Sequence, residues 1–398
     1  MAGGAFIVLF CATGSSYYAF PVFFDALMRE MEWSRGQTGA ALSIGMFVIG
    51  IVSLAIGGII RKAGVKKVMV FGSVLAATGF ALLSTVSALW QLYVYYGLVL
   101  SVGLAGIFVI PNFTAVQSWF VEKRGMALGI ASTGIGVGGL VMAPIAGWLI
   151  SLYDWQTAFL FMAGIVALLG VSVSGFIMRT KEEDKSTHTV GRRGVNDSGI
   201  LSMDGFSLSQ AIRQRTFWFI SIGWMLWAWA VSVGFTHQVA FAVDMGIERT
   251  VAAGAVGLLS AISIPSRLIF GRLGDAIDKR FLFMLSSSLL VAALIVLLHT
   301  TNVLMLYVYS LLLGASVGAN GPIMPDLIAD YFGTTYFGVI YAASFFVHIT
   351  GTVIGPIFGG WIFDTTGTYS LAFIVSIVLS LVAIIAVYLA GRRNRISV

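Results

Sequence analysis

Residues 271–280 read GRLGDAIDKR, and residues 57–67 read GGIIRKAGVKK. Each stretch follows a long apolar run and combines glycines with a cluster of basic side chains. Glycine lets two helices approach closely where the chain turns, and basic side chains at a helix end complement the helix dipole and anchor it at a membrane surface. Two such turns, roughly 210 residues apart, predict a chain built from a duplicated set of membrane helices.

The composition is that of a membrane protein. Of 398 residues, 58% are hydrophobic and only 10% are charged, whereas soluble domains are about 25% charged. This excludes a disordered chain, a nucleic-acid-binding fold and a small secreted domain held by disulfides. The net charge of the chain is +6. In a chain this apolar, an excess of basic residues indicates the cytoplasmic loops of a membrane protein. The single cysteine, Cys11, can form no intrachain disulfide.

Twelve apolar runs are long enough for a helix to cross the bilayer, which takes about 20 residues. They lie near 3–28, 36–60, 68–88, 90–119, 125–152, 156–178, 216–243, 249–274, 281–300, 303–331, 336–363 and 369–391. Long unbroken runs indicate helices, because a membrane barrel shows short alternating strands. The sequence therefore predicts an all-α membrane protein with 12 transmembrane helices in two pseudo-symmetric six-helix bundles.

One long polar stretch divides the chain. We predict an N-terminal bundle over 1–180, a cytoplasmic linker over 181–214 and a C-terminal bundle over 215–398. With the amino terminus inside, 19 of the 23 basic residues face the cytoplasm, and only Arg29, Arg35 and Arg249 face outward. Basic loops remain on the cytoplasmic side. We therefore expect a multi-pass protein of the cell (inner) membrane with both termini in the cytoplasm.

The two predicted bundles share sequence. A shift of 212 positions aligns the fourth and fifth helices with the tenth and eleventh without a gap. The aligned pairs include Gly106 with Gly318, Phe120 with Phe332, Ser132 with Ser344, and Pro144 with Pro356. This repeat supports a duplicated six-helix unit.

Arg267 is the strongest candidate for a binding residue. It lies in SAISIPSRLIFGRLGD, about five residues from the centre of the eighth helix. An ionisable group inside a span is costly and marks a functional site by default, and the planar guanidinium suits a carboxylate. Ser53 stands at the matching place in the first half, so the charge belongs to one half only, as expected of a substrate contact. The alternative is an arginine that joins two helices through an acidic partner.

Other candidates are two histidines and a set of polar and aromatic residues at mid-depth. His237 in the seventh helix and His348 in the eleventh can exchange a proton near neutral pH; a neutral histidine bonded between helices is the alternative for each. Amides and hydroxyls can bond a carboxylate, and rings can line a short aliphatic body, although helix packing is the alternative for each ring. These residues are Tyr17 with its neighbour Tyr18, Phe108, Asn112, Asn320, Tyr341, Phe345 and Phe346.

The GRLGDxxDKR pattern resembles the loop motif of the major facilitator superfamily, whose members are built from two six-helix repeats. The first copy departs from it, because Arg61 stands where the superfamily usually has Asp, while the second copy keeps Asp275. Within the superfamily, the chain resembles the monocarboxylate transporter and oxalate/formate antiporter branch. The resembling pieces are GSSYYAFPVFFDAL, GIFVIPNFTAVQSWFVEKRGMALGIAS and the arginine within the eighth helix.

This resemblance implies that Arg267 binds the substrate carboxylate and that His237 lies in the same pocket. Oxalate-type members use a second cation, a Lys in the eleventh helix, where this chain has only His348; this favours one carboxylate per substrate. Eukaryotic members carry an Asp shortly before the arginine, where this chain reads Ile264-Pro265-Ser266. Proton coupling through such an Asp is therefore not expected.

These features predict a secondary active transporter of small monocarboxylates such as lactate or pyruvate. We expect proton-coupled symport by alternating access, with His237 favoured over His348 as the proton carrier. The alternatives are an oxalate/formate-type antiporter and a non-transporting carboxylate sensor of the same fold. No set of catalytic groups or metal ligands is recognisable in the sequence, so we expect no enzyme, no metal and no cofactor. The expected partners are a monocarboxylate anion, a proton and the lipid bilayer, with no nucleic acid, and the expected functional unit is a monomer.

Overall fold

The computed structural model describes residues 1–120, 122–181, 183 and 205–391. Twelve helices in these ranges are long and apolar enough to span a bilayer. We number them α1 (Ala2–Met31), α2 (Gln37–Ala63), α3 (Val65–Leu83), α4 (Leu89–Trp119), α5 (Arg124–Leu152), α6 (Trp155–Phe176), α7 (Arg215–Asp244), α8 (Gly254–Gly274), α9 (Lys279–Leu298), α10 (Val303–Phe332), α11 (Phe337–Thr366) and α12 (Ser370–Leu389). Helical backbone begins earlier in α2, at Arg35, and in α8, at Arg249. A short helix, Leu208–Arg213, precedes α7. The predicted all-α fold with 12 spans is confirmed.

Three helices of the first half are irregular within the membrane; in α6 a π-helical turn, Val166–Val171, separates Trp155–Ile165 from Ser172–Phe176. In α1 a π-helical turn, Gly14–Tyr18, separates Ala2–Thr13 from Phe20–Met31. In α4 the helix is broken between Ser101–Ala105 and Val109–Trp119. Irregular backbone at membrane depth is tolerated where protein buries it or where it lines a cavity, and π turns are frequent at functional sites.

The two halves of the chain pack in the same scheme. In the first half α1 packs on α5, α2 on α4, and α3 on α6. In the second half α7 packs on α11, α8 on α10, and α9 on α12. This is the arrangement expected of a duplicated unit. The exact domain boundaries remain a prediction, and most of the predicted linker, 184–204, lies outside the described residues.

Close helix pairs join the halves. α5 packs against α8 and α10, while α11 packs against α2 and α4. A Cβ on Gly271 of α8 would lie 2.6 Å from the Gly125 carbonyl oxygen of α5. A Cβ on Gly57 of α2 would lie 2.6 Å from the Gly338 carbonyl oxygen of α11. Only glycine permits this approach, so these positions fix how closely the halves can meet.

Charged contacts fasten the halves at one end of the bundle. We call it the basic end; it holds the ends of α2, α4, α8 and α10 and the starts of α5 and α11. Arg124 of α5 forms ion pairs with Asp326 and Asp330 of α10, and the Lys279 Nζ lies 2.6 Å from the Asp330 Oδ2. The Asp275 carboxylate accepts hydrogen bonds from the first amides of α5. The basic end is thus closed by contacts between halves. That it faces the cytoplasm remains a prediction.

Replacing Arg124 by Gln should destabilise the protein, because the Asp326 side chain is only 2% exposed and would lose its closest cation. Breaking a buried pair in this way costs about 3 kcal/mol. The double variant Arg124→Gln/Asp326→Asn should recover part of the loss, since the uncompensated carboxylate is gone. Thermal unfolding of the purified proteins measures both effects.

The matched control is Arg280→Gln. Arg280 pairs with Asp278, whose side chain is 48% exposed, and an exposed pair contributes about 0–1 kcal/mol. A double Arg124/Asp326 variant less stable than Arg124→Gln alone would contradict the assigned pairing.

Candidate functional site

Arg267 is buried without a partner. It lies seven residues before Gly274, the end of α8, which is about 10 Å inside the basic end. The residue is 3% exposed, and its Nε atom has no hydrogen-bond partner. None of the ion pairs formed within the described ranges includes it. A buried guanidinium without a counter-charge is costly, so Arg267 is a candidate for binding an anion.

The acidic residue nearest in depth is already engaged. Asp326 of α10 is buried, at 1% exposure. Its carboxylate pairs with Arg124 and lies 3.6 Å from the Lys279 Nζ. The alternative reading of Arg267, an arginine that ties two helices together through a carboxylate, is therefore not realised among the described residues.

Four helices from both halves surround the Arg267 side chain. Tyr18 of α1 interacts electrostatically with the guanidinium, and its ring lies against Gly139 of α5. A Cβ on Gly321 of α10 would lie 2.5 Å from the Arg267 Nη1 and 3.3 Å from the Ser132 Oγ of α5. Gly321 therefore leaves the room that the guanidinium occupies, and the site lies between the two halves.

Asn320 adds a second set of unused polar atoms. It is adjacent to Gly321 on α10, it is 4% exposed, and neither its Nδ2 nor its Oδ1 has a hydrogen-bond partner. A buried polar group left unpaired costs about 1–3 kcal/mol. The guanidinium and the amide of Asn320 are donors that a carboxylate can satisfy, since it accepts several hydrogen bonds. We regard Arg267, Tyr18 and Asn320 as the centre of the candidate site.

The amide nitrogen of Asn112 is bonded to the backbone in this structure, and its role in substrate binding remains a prediction. Its Nδ2 donates to the carbonyl oxygens of Ile107, at 2.8 Å, and Phe108, at 2.7 Å. It therefore satisfies the backbone at the break in α4. Its Oδ1 is buried without a partner, so one acceptor remains available in the middle of the bundle.

Aromatic side chains from both halves pack together on the α11 side of the interface. Tyr341 contacts Phe113 of α4 with ring centroids 6.1 Å apart, and Phe345 contacts Phe108 at the same distance. Trp224 of α7 completes this aromatic cluster, 5.8 Å from Tyr341. The cluster provides the apolar surface expected around a small organic substrate.

His348 belongs to the same cluster. Its ring stacks on Trp224 at 4.1 Å, and its Nδ1 is buried without a hydrogen-bond partner. It lies 11 residues after Phe337, the start of α11, hence about 16 Å from the basic end. This depth is within about 6 Å of that of Arg267.

The structure does not bring His237 to Arg267. The His237 Nε2 lies 3.0 Å from the Pro356 carbonyl oxygen of α11, and the ring packs on Tyr369 at 4.9 Å. His237 comes 22 residues after Arg215, the start of α7, which places it about 20 Å deeper than Arg267 as measured from the basic end. The expectation that both share one pocket is not met in this conformation, and the proton role of His237 remains a prediction.

The last two predicted residues lie at the interface between halves, in contacts that do not include Arg267. Tyr17 stacks on Phe235 of α7 at 6.4 Å, and with Phe108 it lines an enclosed space of about 10 Å³. Phe346 lies beside Gly50 of α2, where a Cβ would be 3.6 Å from the ring. Both are placed to respond when the halves separate.

Sequence reasoning missed the importance of Tyr18, Ser132, Gly321 and Trp224. The sequence gives Tyr18 no role apart from that of its neighbour Tyr17. The π turn at Gly14–Tyr18 changes the direction of the side chains, so that counting 3.6 residues per turn does not predict which of them faces Arg267. Gly321 carries no chemical group and gives no signal in the sequence. Trp224 could have been found from its depth in α7, which is close to that of His348.

Comparisons with known proteins agree with this architecture. The profile of the Major Facilitator Superfamily matches residues 5–349. Monocarboxylate transporter 12-B of Danio rerio is 26% identical over 401 residues, covering 94% of this chain and 82% of that protein. Monocarboxylate transporter 13 of Rattus norvegicus is 26% identical over 363 residues, covering 90% and 81%. The E. coli fucose:proton symporter FucP superposes with a TM-score of 0.73 at 16% identity over 97% of this chain and 98% of that one; a likeness at this identity shows the fold alone.

Two buried asparagines should respond oppositely to the same substitution. Asn320→Leu should raise the thermal stability of the ligand-free protein by about 1 kcal/mol, because an unpaired buried amide is removed. Asn112→Leu should lower it by about 2 kcal/mol, because the Ile107 and Phe108 carbonyls lose their donor. Thermal unfolding in detergent compares the pair, and each serves as the control for the other. Equal destabilisation by both would contradict the assignment of Asn320 as an unpaired group.

Proposed function

The chain belongs to the Major Facilitator Superfamily, and on that premise we propose that it carries small monocarboxylates, such as lactate or pyruvate, together with a proton by alternating access. As a member of this superfamily it is a transporter and not an enzyme. We propose that the basic end and both termini face the cytoplasm of a cell (inner) membrane. We further propose that a monomer suffices and that residues 1–180, 181–214 and 215–398 form the two bundles and their linker.

The observation that carries this proposal is the unpaired charge of Arg267. It is the one fully buried cation among the described residues, so one carboxylate neutralises the site and a second would be in excess. The guanidinium fork can bond both oxygens of a carboxylate. The aromatic cluster between the two halves suits a short apolar body. The relatives named as monocarboxylate transporters, at about a quarter identity, support the same substrate class.

Proton coupling follows from charge balance. An anion that enters alone works against an inside-negative potential, at about 2.3 kcal/mol per charge and 100 mV. A proton carried with it makes the step electroneutral. We propose His348 as its carrier, ahead of His237, because His348 lies near the depth of Arg267 and has an unpaired Nδ1.

Exchange of one anion for another is the second candidate. When the carrier is empty, Arg267 is buried without a counter-charge, which opposes the return of the empty carrier. If the carrier changes conformation with substrate bound but not when it is empty, it can return only with a second anion and therefore acts as an antiporter. Counterflow of labelled lactate separates the candidates from a non-transporting sensor, which would bind lactate without exchanging it.

Arg267 is tested by two substitutions with a control on the same helix. Arg267→Gln should reduce uptake of labelled lactate into proteoliposomes by on the order of 100-fold, and Arg267→Lys by about tenfold or more, because lysine keeps the charge but loses the fork. The Gln variant should nevertheless unfold at no lower temperature, since a buried unpaired charge has been removed. Arg272→Gln, at an exposed position of α8, should transport normally.

Normal uptake by Arg267→Gln would show that the arginine does not bind substrate. Equal uptake of a neutral sugar by the wild-type protein would exclude the proposed substrate class.

The proton carrier is tested by comparing His348→Gln with His237→Gln. His348→Gln should lose lactate accumulation driven by a pH gradient while it retains exchange of labelled for unlabelled lactate, because exchange needs no net proton movement. His237→Gln should keep pH-driven accumulation. The opposite result would identify His237 as the proton carrier. Accumulation driven by a pH gradient in both variants would show that neither histidine carries the proton.

A further inference from the structure

A cavity of about 590 Å³ opens at the basic end, separate from the site around Arg267. Its walls come from the end of α2, the end of α4, the start of α11 and the segment that follows α6. Five of its residues are cationic and one is acidic, a net charge of +4. The cations are Arg61, Lys62, Lys66, Lys67 and Arg179, and the acid is Glu183.

The acid in this basic cavity is already engaged. One Glu183 oxygen accepts a hydrogen bond from the Thr180 amide at 2.6 Å, and the other lies 3.4 Å from the Lys66 amide at the start of α3. Glu183 thus caps a helix start at the edge of the cavity. Arg61, Lys62, Lys66 and Lys67 form no ion pair with another described residue.

Both halves of the protein contribute to the walls. Thr114 and Ser118 of α4 come from the first half, and Tyr336 and Gly338 at the start of α11 come from the second. The Arg61 guanidinium carbon lies 5.3 Å from the centre of the Tyr336 ring. A ligand held by α2 and α11 together would therefore bridge the halves.

The internal repeat shows which charge is missing here. In the second copy of the loop motif, Asp275 follows Gly271 by four residues, and its carboxylate bonds the amides of Gly125, at 2.7 Å, and Met126, at 3.0 Å. In the first copy, Arg61 follows Gly57 by four residues. The shift of 212 positions that relates the halves places Phe337 and Gly338, at the start of α11, where Gly125 and Met126 stand. A cation therefore occupies the place of the anion that joins the halves in the other copy.

We propose that this cavity binds a phosphate group, which takes the place that the Asp275 carboxylate has in the other copy. Arginine bonds a phosphate through two parallel hydrogen bonds, and the ammonium groups of Lys62, Lys66 and Lys67, which also line the cavity, can donate to its remaining oxygens. The four basic side chains of Arg61, Lys62, Lys66 and Lys67 match a phosphate better than a single carboxylate. Basic pockets between membrane helices also bind phosphate head groups of lipids, so the group comes from a lipid or from a free phosphate.

The bound phosphate holds the basic end closed. Gly57 and Gly338 meet in this conformation, and alternating access requires them to separate. A phosphate that bonds both α2 and α11 adds to the contacts that separation must break. The cavity is therefore a regulatory site, and this inference does not depend on which substrate Arg267 binds.

The test is thermal unfolding of the purified full chain at constant ionic strength. Inorganic phosphate, or micelles with phosphatidylglycerol in place of phosphatidylcholine, should raise the melting temperature of the wild-type protein. Arg61→Gln should raise the half-saturating phosphate concentration by about tenfold or more, which is the loss of affinity expected when one charged hydrogen-bonded pair is removed. Arg61→Asp should respond to neither source and melt near the temperature of the phosphate-bound wild type, because it restores the carboxylate of the repeat.

The matched control is Arg272→Gln, which removes one charge from the second copy of the motif and lies outside the cavity; its response should equal that of the wild type. A response to phosphatidylglycerol alone identifies a lipid head group, and a response to inorganic phosphate in detergent identifies a free anion. The proposal is overturned if the wild type responds to neither source or if Arg272→Gln weakens the response as much as Arg61→Gln. It is equally overturned if lactate gives the same Arg61-dependent stabilisation. If Arg61→Asp does not fold, the comparison of Arg61→Gln with Arg272→Gln decides alone.

Discussion

The low dielectric of the bilayer makes one unpaired guanidinium the feature on which this structure depends. Arg267 is buried in a region where a charge without a partner is strongly unfavourable, and no carboxylate of the described residues forms an ion pair with it. We therefore propose that a bound anion supplies the counter-charge that Arg267 lacks among the described residues.

Around this centre, the repeated scaffold is symmetric while the charges are not. The two halves pack in the same helix order, and close glycine contacts join them at α5–α8 and at α2–α11. Yet the α5–α8 contact carries its own carboxylate, Asp275, and the neighbouring Arg124 ion pairs, whereas the α2–α11 contact has Arg61 at the matching place. The duplicated unit provides the same close glycine contact at α5–α8 and at α2–α11. The two contacts differ in charge, because one has Asp275 where the other has Arg61.

The sequence was sufficient for the spans and for Arg267, because apolar length and a lone charge are local signals. The sequence did not distinguish Tyr18 from Tyr17. Both lie in the π turn Gly14–Tyr18, which changes the direction of each side chain from that in a regular α-helix. Asn112 was expected to bind substrate, but the break in α4 that occupies its amide is a property of the folded backbone. The depth of His237 could have been counted along α7; the family resemblance was followed instead, and the structure places the residue about 20 Å from the level of Arg267.

Electrostatics also sets an order for the proposed cycle. In the empty carrier, a proton on His348 would add a second positive charge at nearly the depth of Arg267, and like charges in a low dielectric repel strongly. Once a carboxylate pairs with Arg267, the net charge of the centre falls to zero, and the proton no longer meets that repulsion. Proton binding is then favoured by the bound substrate, and a proton alone is disfavoured. Coupling of this kind needs no contact between the histidine and the substrate, only a shared, poorly screened space in which their charges act on one another.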